Sequence, residues 1–352
     1  MEEVERAQER LENIRSVKPI LGGLRTISLG SWQAALKRRS RVRDYAGRLR
    51  AMLPALVPQL QARQAIVERQ RWHPSLGTPY SARDVVRDRR RSEPSRIEAL
   101  VIGSERGLCG RFNVAVAEEA ERYLSRQKAQ GFEVQLRTLG RRAQRVLRRR
   151  GHETPQAGAL SVAALPAFSL AFELARGWLT AYERGELDAI DLIHNGYRGT
   201  GAYEPRVARL IPPRIPTSDA SSARDDDSTE SVDASGRPPS PAGALPQRSG
   251  QGRDLAARKQ PRGPWPPPII ETDPLSLYAT VVEQWAAVQL YEVLLDTAAA
   301  EHSTRFQLME SATQNADRLI EELTLVIQTA RRQAITQEMA ELAAGAGLIG
   351  RE

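Results

Sequence analysis

Residues 309–334 read MESATQNADRLIEELTLVIQTARRQA, and three apolar series run through them at intervals of seven. They are Met309, Ala316, Leu323 and Ala330; Ala312, Leu319 and Val326; and Ile320, Ile327 and Ala334. Residues seven apart fall on one side of a helix, so a stripe kept up over about four heptads is the pattern of a coiled coil. The seam is expected at Met309, Ala312, Ala316, Leu319, Leu323, Val326, Ile327 and Ala330. Between 275 and 344 there is neither proline nor glycine. About 70 residues rising 1.5 Å each make a rod of roughly 100 Å. A compact domain of this size cannot enclose such a rod, so it must project.

Its natural partner lies at the other end of the chain. Val4, Ala7, Leu11, Ile14 and Val17 recur at three- and four-residue steps, and a helical pattern resumes at Leu24, Ile27, Leu29 and Trp32. Between the two stand Pro19 and the pair Gly22-Gly23, where a kink or local break is predicted. Residues 1–67 are therefore expected to form an N-terminal coiled-coil helix, antiparallel to a C-terminal one over 274–345.

The middle of the chain changes period. IEALVIG at 97–103 reads as a buried strand, FEVQLRTL at 132–139 alternates as a strand does, and AIDLI at 189–193 is a third. Helical patterns at 112–128, 141–150 and 168–183 separate them. Strands alternating with helices indicate a small α/β unit over 95–212 with a largely parallel sheet. The fold class is thus α/β: an antiparallel coiled coil of the N- and C-terminal helices with a small Rossmann-like domain inserted between them. Twelve of the 22 prolines fall within 212–268, beside the run SDASSARDDDSTESVDASG. So little apolar surface cannot offset ordering entropy, and 213–268 is expected to be a disordered insertion.

Composition removes most catalytic classes. The 352 residues carry 51 Lys+Arg against 43 Asp+Glu, a formal +8. Only Lys18, Lys37, Lys128 and Lys259 are lysines, and none follows a glycine, so a Walker-type phosphate loop is excluded. The single Cys109 rules out an intrachain disulfide and a multi-cysteine zinc site. His73, His152, His194 and His302 form no metal-binding pair. Neither a metal site nor a cofactor is expected from these residues. The acidic start and the short apolar runs predict neither a signal peptide nor direct membrane insertion. The basic run RRAQRVLRRR at 141–150 could bind nucleic acid, but it lacks interleaved aromatics. A solvated face, or a docking face for acidic loops, is the preferred reading.

Two motifs then identify a family. SERGLCGRFN at 104–113, directly after the first strand, resembles the S/T-D-R-G-L-C-G-G-x-N motif of F-type ATP synthase gamma subunits through Arg106, Gly107, Leu108, Cys109, Gly110 and Asn113. In the last helix, Glu301-His302 and Arg305 match the family's E-H-x-x-R, and Ala312-Thr313 with Asn315 its A-T-x-N. Leu323 and Leu325 match L-x-L, while Arg331, Ile335, Thr336, Glu338 and Glu341 match R-Q-A-x-I-T-x-E-x-x-E. Weaker similarity touches Asp188, His194, Asn195 and Tyr197. The chain departs from the pattern at Arg111, in place of a glycine, at Arg332, in place of a glutamine, and over 22–32. It resembles a divergent member.

The resemblance implies a non-catalytic central rotor shaft, one copy per complex, turning with ion flow and forcing nucleotide sites on other subunits through their states. The partners it implies are the α and β subunits, the epsilon subunit and the c-subunit ring, with no nucleic acid. The place it implies is the cytoplasmic face of a bacterial cell membrane, held there peripherally. Arg305, Arg331, Arg332, Thr336, Gln337 and Glu338 map onto positions where the family makes polar contacts with the stator. Two readings of the GLCG loop stay open: a tight turn packing a small buried Cys109, or a phosphate- or nucleophile-bearing loop. A second function class also stays open, a coiled-coil adaptor or nucleic-acid-binding protein, because a shaft broken at Pro19–Gly23 would transmit torque poorly.

Overall fold

The computed structural model describes residues 2–70, 96–162, 164–212 and 273–345, and the expected insertion at 213–268 lies outside them. Two helices dominate, α1 (Glu2–Gln70) and, last in the chain, α5 (Pro274–Gly345). The buried and half-buried side of α1 steps by alternating threes and fours: Ala7, Leu11, Ile14, Lys18, Leu21, Arg25, Ser28, Trp32, Ala35, Arg39, Val42, Ala46 and Leu49. That is a heptad seam, with cations at three of its positions.

Those cations meet acids on α5. Lys18 pairs with Asp317, Arg25 with Glu310, Arg39 with Asp296 at 3.0 Å and Arg43 with Glu292 at 3.0 Å. Seven residues up α1 correspond to seven residues down α5 at the first step. Fourteen answer fourteen at the second, and four answer four at the third. The two helices therefore run antiparallel in one unbroken register. The apolar contacts follow it, with Ala7 and Leu11 on Ile327, and Ala35 on Ala298 and Ala299.

The interruption anticipated at Pro19 and Gly22-Gly23 is not found: α1 is one helix through them, and through Pro54 and Pro58 to Gln70. An interior proline costs about 3 kcal/mol and each glycine about 1 kcal/mol relative to alanine. Tertiary contact on both sides of the weak point outweighs this, because most helix stability in proteins comes from packing. Val17, expected on the seam, is 48% exposed, since Lys18 takes the inward position beside Asp317.

Between the long helices lie β1 (Arg96–Ile102), α2 (Phe112–Ala129), β2 (Glu133–Leu139), α3 (Arg141–Arg149), α4 (Phe168–Glu183), β3 (Ala189–Gly199) and β4 (Ala202–Ile211). The sheet order is β2-β1-β3-β4, with β1 parallel to both neighbours and β4 antiparallel to β3. The hairpin to β4 was not foreseen. Asn195-Gly196 reads as a turn signal, yet β3 passes straight through it. Asn195 Nδ2 donates to the Phe112 carbonyl at 2.7 Å. A Cβ on Gly196 would stand 2.9 Å from Arg206 Cδ. Pro205 also disguises β4, but a proline is tolerated on an edge strand.

Alternate strand residues face opposite layers. Leu100, Ile102, Ile190 and Leu192 pack with Leu290 and Leu294 of α5 and Trp178 of α4. Ala99, Val101 and Ile193 pack with Val116 and Ala120 of α2 and Leu147 of α3. Helix α5 is itself one layer of the α/β unit. No flexible tether joins rod to globule among the described residues.

Candidate functional site

Burial changes along α5 in three stages. From Trp285 to Ala300 the helix is enclosed nearly all round, between α1 and the sheet. From 306 to 330 only one stripe is covered, with Met309, Ala316 and Ile327 buried and Ala312, Leu319, Leu323 and Ala330 half-buried. From 331 to 342 every residue is exposed. Val326, assigned to the seam by its heptad, is 54% exposed; the neighbouring Ile327 faces α1 at 6%.

The enclosed stage ends at the motif loop. Leu108 and Gly110 both take positive φ, 62° and 56°. Glycine adopts that geometry freely, whereas leucine is strained there. The turn is held from within: Asn113 Oδ1 accepts from Ser104 N at 2.9 Å, Asn113 Nδ2 donates to Ser104 Oγ at 2.8 Å, and Ser104 Oγ donates to the Arg106 carbonyl at 2.7 Å. Cys109, Phe112 and Ala300 form one buried cluster, with Phe112 edge-on to Tyr203 at 5.2 Å. Burial raises the Cys109 thiol above its usual range, so it stays protonated and packs. The tight-turn reading is therefore the one that the geometry carries.

Arg305 lies at this joint and not on the stator side. Its side chain is 4% exposed and ion-paired with Glu301. Its Nε donates to the Gly107 carbonyl at 3.2 Å, and its Nη1 lies 3.1 Å from His302 Nδ1. The sequence expectation of a stator contact is corrected here, because the guanidinium is spent inside the protein. Burial, with the Arg305 and Arg106 charges, lowers His302 to about 4, so it is neutral and accepts from Arg305. The E-H-x-x-R spacing thus builds a rivet: one helical turn whose cation holds the RGLCG loop against the shaft. The cavity beside it, bounded by Glu105, Arg106, Glu301 and His302, measures about 40 Å³, room for a few waters but not a nucleotide.

A second joint ties three elements. Asp296 of α5 accepts from the Tyr197 backbone N–H of β3 at 3.3 Å and pairs with Arg39 of α1. Trp32 of α1 packs against Tyr197 and against Phe306, with ring centroids 6.1 and 5.9 Å apart. His194, 4% exposed, faces Thr297 Oγ1 at 3.4 Å and is lowered to about 4, mainly by burial. Asp188 accepts from the Arg96 backbone N–H at 2.8 Å, joining the starts of β1 and β3. The heptad spacing of Lys18, Arg25 and Arg39 was the available signal for the charged seam.

The other five contact candidates stand on the bare end of α5. Arg331, Arg332, Thr336, Gln337 and Glu338 are all exposed. Thr336 Oγ1 donates back to the Arg332 carbonyl at 2.8 Å, and Gln337 Nε2 donates to Glu341 at 3.2 Å. Beside them Ile335, Met339 and Leu342 are 60%, 65% and 67% exposed, at helical spacing on one side. No helix among the described residues is long and apolar enough to cross a membrane, and they hold no cluster suited to a metal ion.

Comparison with known proteins finds likenesses in sequence and in fold. A family model described as ATP synthase matches residues 3–347. The ATP synthase gamma chain of Pelotomaculum thermopropionicum is 25% identical over 342 residues, covering 97% of each chain. That of an Anaeromyxobacter species is 27% identical over 339 residues, covering 96% of each. A central-stalk chain of the Tetrahymena thermophila mitochondrial ATP synthase aligns with a TM-score of 0.48 at 15% identity, covering 83% of this chain and 99% of that one.

Proposed function

The chain belongs to the ATP synthase gamma family, and from that premise we propose how its parts carry torque. It is the non-catalytic central rotor shaft of a rotary ATP synthase, coupling ion flow to changes at nucleotide sites on other subunits. The α/β unit and the enclosed stage of α5 form the driven end, seated on the c-subunit ring with the epsilon subunit. The bare end of α5 enters the ring of α and β subunits. The assembly lies peripherally on the cytoplasmic face of a bacterial cell membrane.

The observation carrying this reading is the burial gradient along α5. Ile335, Met339 and Leu342 at the tip are largely exposed among the described residues, and an apolar stripe of that kind needs a sleeve. Arg331, Arg332, Thr336, Gln337 and Glu338 supply exposed polar groups around the stripe. They suit contacts that form and release each turn, since exposed charge pairs hold by only about 1 kcal/mol. Asymmetry is what makes such contacts useful, because a shaft touching all three sites alike would bias none of them. The helix break that favoured an adaptor is absent from α1.

Purification through a tag on this chain should bring down α, β and c-ring subunits. In the purified complex, Arg332→Glu with Glu338→Lys should lower ATP-driven ion pumping relative to ATP hydrolysis, while the isolated variant melts as the parent does. Failure of α and β to co-purify would end the rotor reading. Unchanged pumping would end the contact role of Arg332 and Glu338.

A further inference from the structure

We propose that the outer face of α3 is a docking surface for a carboxylate-rich segment of a partner protein within the assembly. The helix is pinned from below: Ala143 and Leu147 are buried in the layer shared with α2 and β1. A Cβ on Gly103 would stand 2.3 Å from Ala143 Cβ, so α3 sits directly on the β1 turn. On the other side Arg142, Arg145, Arg148 and Arg149 are exposed and meet no acid among the described residues. Arg141, 74% exposed, reaches Glu105 only at 3.6 Å. From Arg141 to Arg149 the row spans about 12 Å along a fixed helix.

The neighbourhood makes this row unusual. Next to it, Arg150 is shared between Glu118 and Glu121, and Arg122 and Arg126 both hold Glu119. Acids are therefore to hand on α2, but none is set against the outer row. The first turn of α3 contains Arg141 and Arg142 and no acidic residue. Cations there oppose the positive end of the helix dipole. The charge pattern answers to something outside the chain.

The chemistry of the occupant follows from what the face lacks. It presents no aromatic ring for stacking bases, and the apolar side of α3 is already spent on the core, leaving nothing to sink into a bilayer. Four guanidinium forks at helical spacing match carboxylates on a facing helix or loop, each able to take two parallel hydrogen bonds. This inference rests on the reading of the chain as an ATP synthase subunit, because the partner is sought in that assembly.

The test uses the intact complex carrying Arg145→Lys or Arg148→Lys. Each substitution keeps the charge and supplies an amine that a carbodiimide joins to a carboxylate in salt-bridge range. The expected result is an amide link from the introduced amine to an Asp or Glu of another subunit. The link should be missing from the parent complex and should weaken several-fold in about 0.5 M salt, where charges are screened within a few Å. In the parent complex, phenylglyoxal should modify the α3 arginines more slowly than in the isolated chain. No link, or equal modification rates, overturns the proposal. So does protection that vanishes on delipidation or nuclease treatment, which would assign the face to lipid or nucleic acid. If no other subunit co-purifies with the chain, the rotor reading itself fails. If the subunits co-purify and the arginines stay free, only this inference fails.

Discussion

Arg39 of α1 and Asp296 of α5 lie 3.0 Å apart, and the same Asp296 accepts from the Tyr197 backbone of β3. One carboxylate thereby joins both shaft helices to the sheet. Its side chain is 7% exposed, so the pair is largely desolvated. Burial raises Asp296 above the usual carboxylate range, against the pull of Arg39.

Removing one member of such a pair strands the other. Asp296→Ala is expected to destabilise the chain by about 3 kcal/mol or more, whereas the double variant Arg39→Met, Asp296→Leu should recover most of the loss. Urea unfolding of both variants checks this. Equal losses would mean that the pair fixes more than its own charges.

The rivet at Arg305 predicts a fold effect where a stator contact would predict none. Arg305→Ala removes the cation paired with the buried Glu301 and should cost about 3 kcal/mol. Arg332→Ala, on the exposed tip, should stay within about 0.5 kcal/mol of the parent. Equal melting temperatures for the two would contradict the buried placement of Arg305.

Gly22 and Gly23 have nothing within 4 Å of where a Cβ would stand. Since the helix runs through them, Gly22→Ala and Gly23→Ala should each stabilise by about 1 kcal/mol through helix propensity. A loss of stability in thermal melts would indicate that the bend these glycines permit is used in the native chain.

Acid should weaken the fold through its histidines. His194 and His302 are lowered to about 4 from an ordinary 6.5, so between those values the unfolded chain binds more protons. Their contribution is intact above pH 6.5, drains as the pH falls, and is fully lost below about 4. Each shift amounts to on the order of 3 kcal/mol at the limit. Glu301 and Asp296 are raised by burial and work the other way, but from the carboxylate range upward. Denaturation between pH 7.5 and 5 should show stability falling with acid, and His302→Gln should flatten the slope. A flat profile in the parent chain would contradict the neutral, buried histidines.

The seam offers the finest test of register. Ile327→Ala should cost about 2–3 kcal/mol and Val326→Ala under about 1 kcal/mol, although the heptad pattern treats both as apolar seam positions. A reversed order would shift the register by one residue.

The sequence alone determined what repeats locally or is spelled by a short motif. The heptads of 309–334, the alternation of three strands with three helices, and the RGLCG and E-H-x-x-R motifs were all legible, because backbone periods of 3.5 and 2 are written directly into the order of apolar residues. Tertiary structure decided the rest. Lys18, Arg25 and Arg39 occupy seam positions that polarity would place in solvent, and the facing Asp317, Glu310 and Asp296 make their partial burial tolerable. Packing against α5 carried α1 through Pro19 and Gly22-Gly23, and the same layering turned Arg305 from an outward contact into an inward clamp. A charge has no periodicity of its own. Where it can lie depends on a partner two to three hundred residues away, and chain order alone does not show that partner's position.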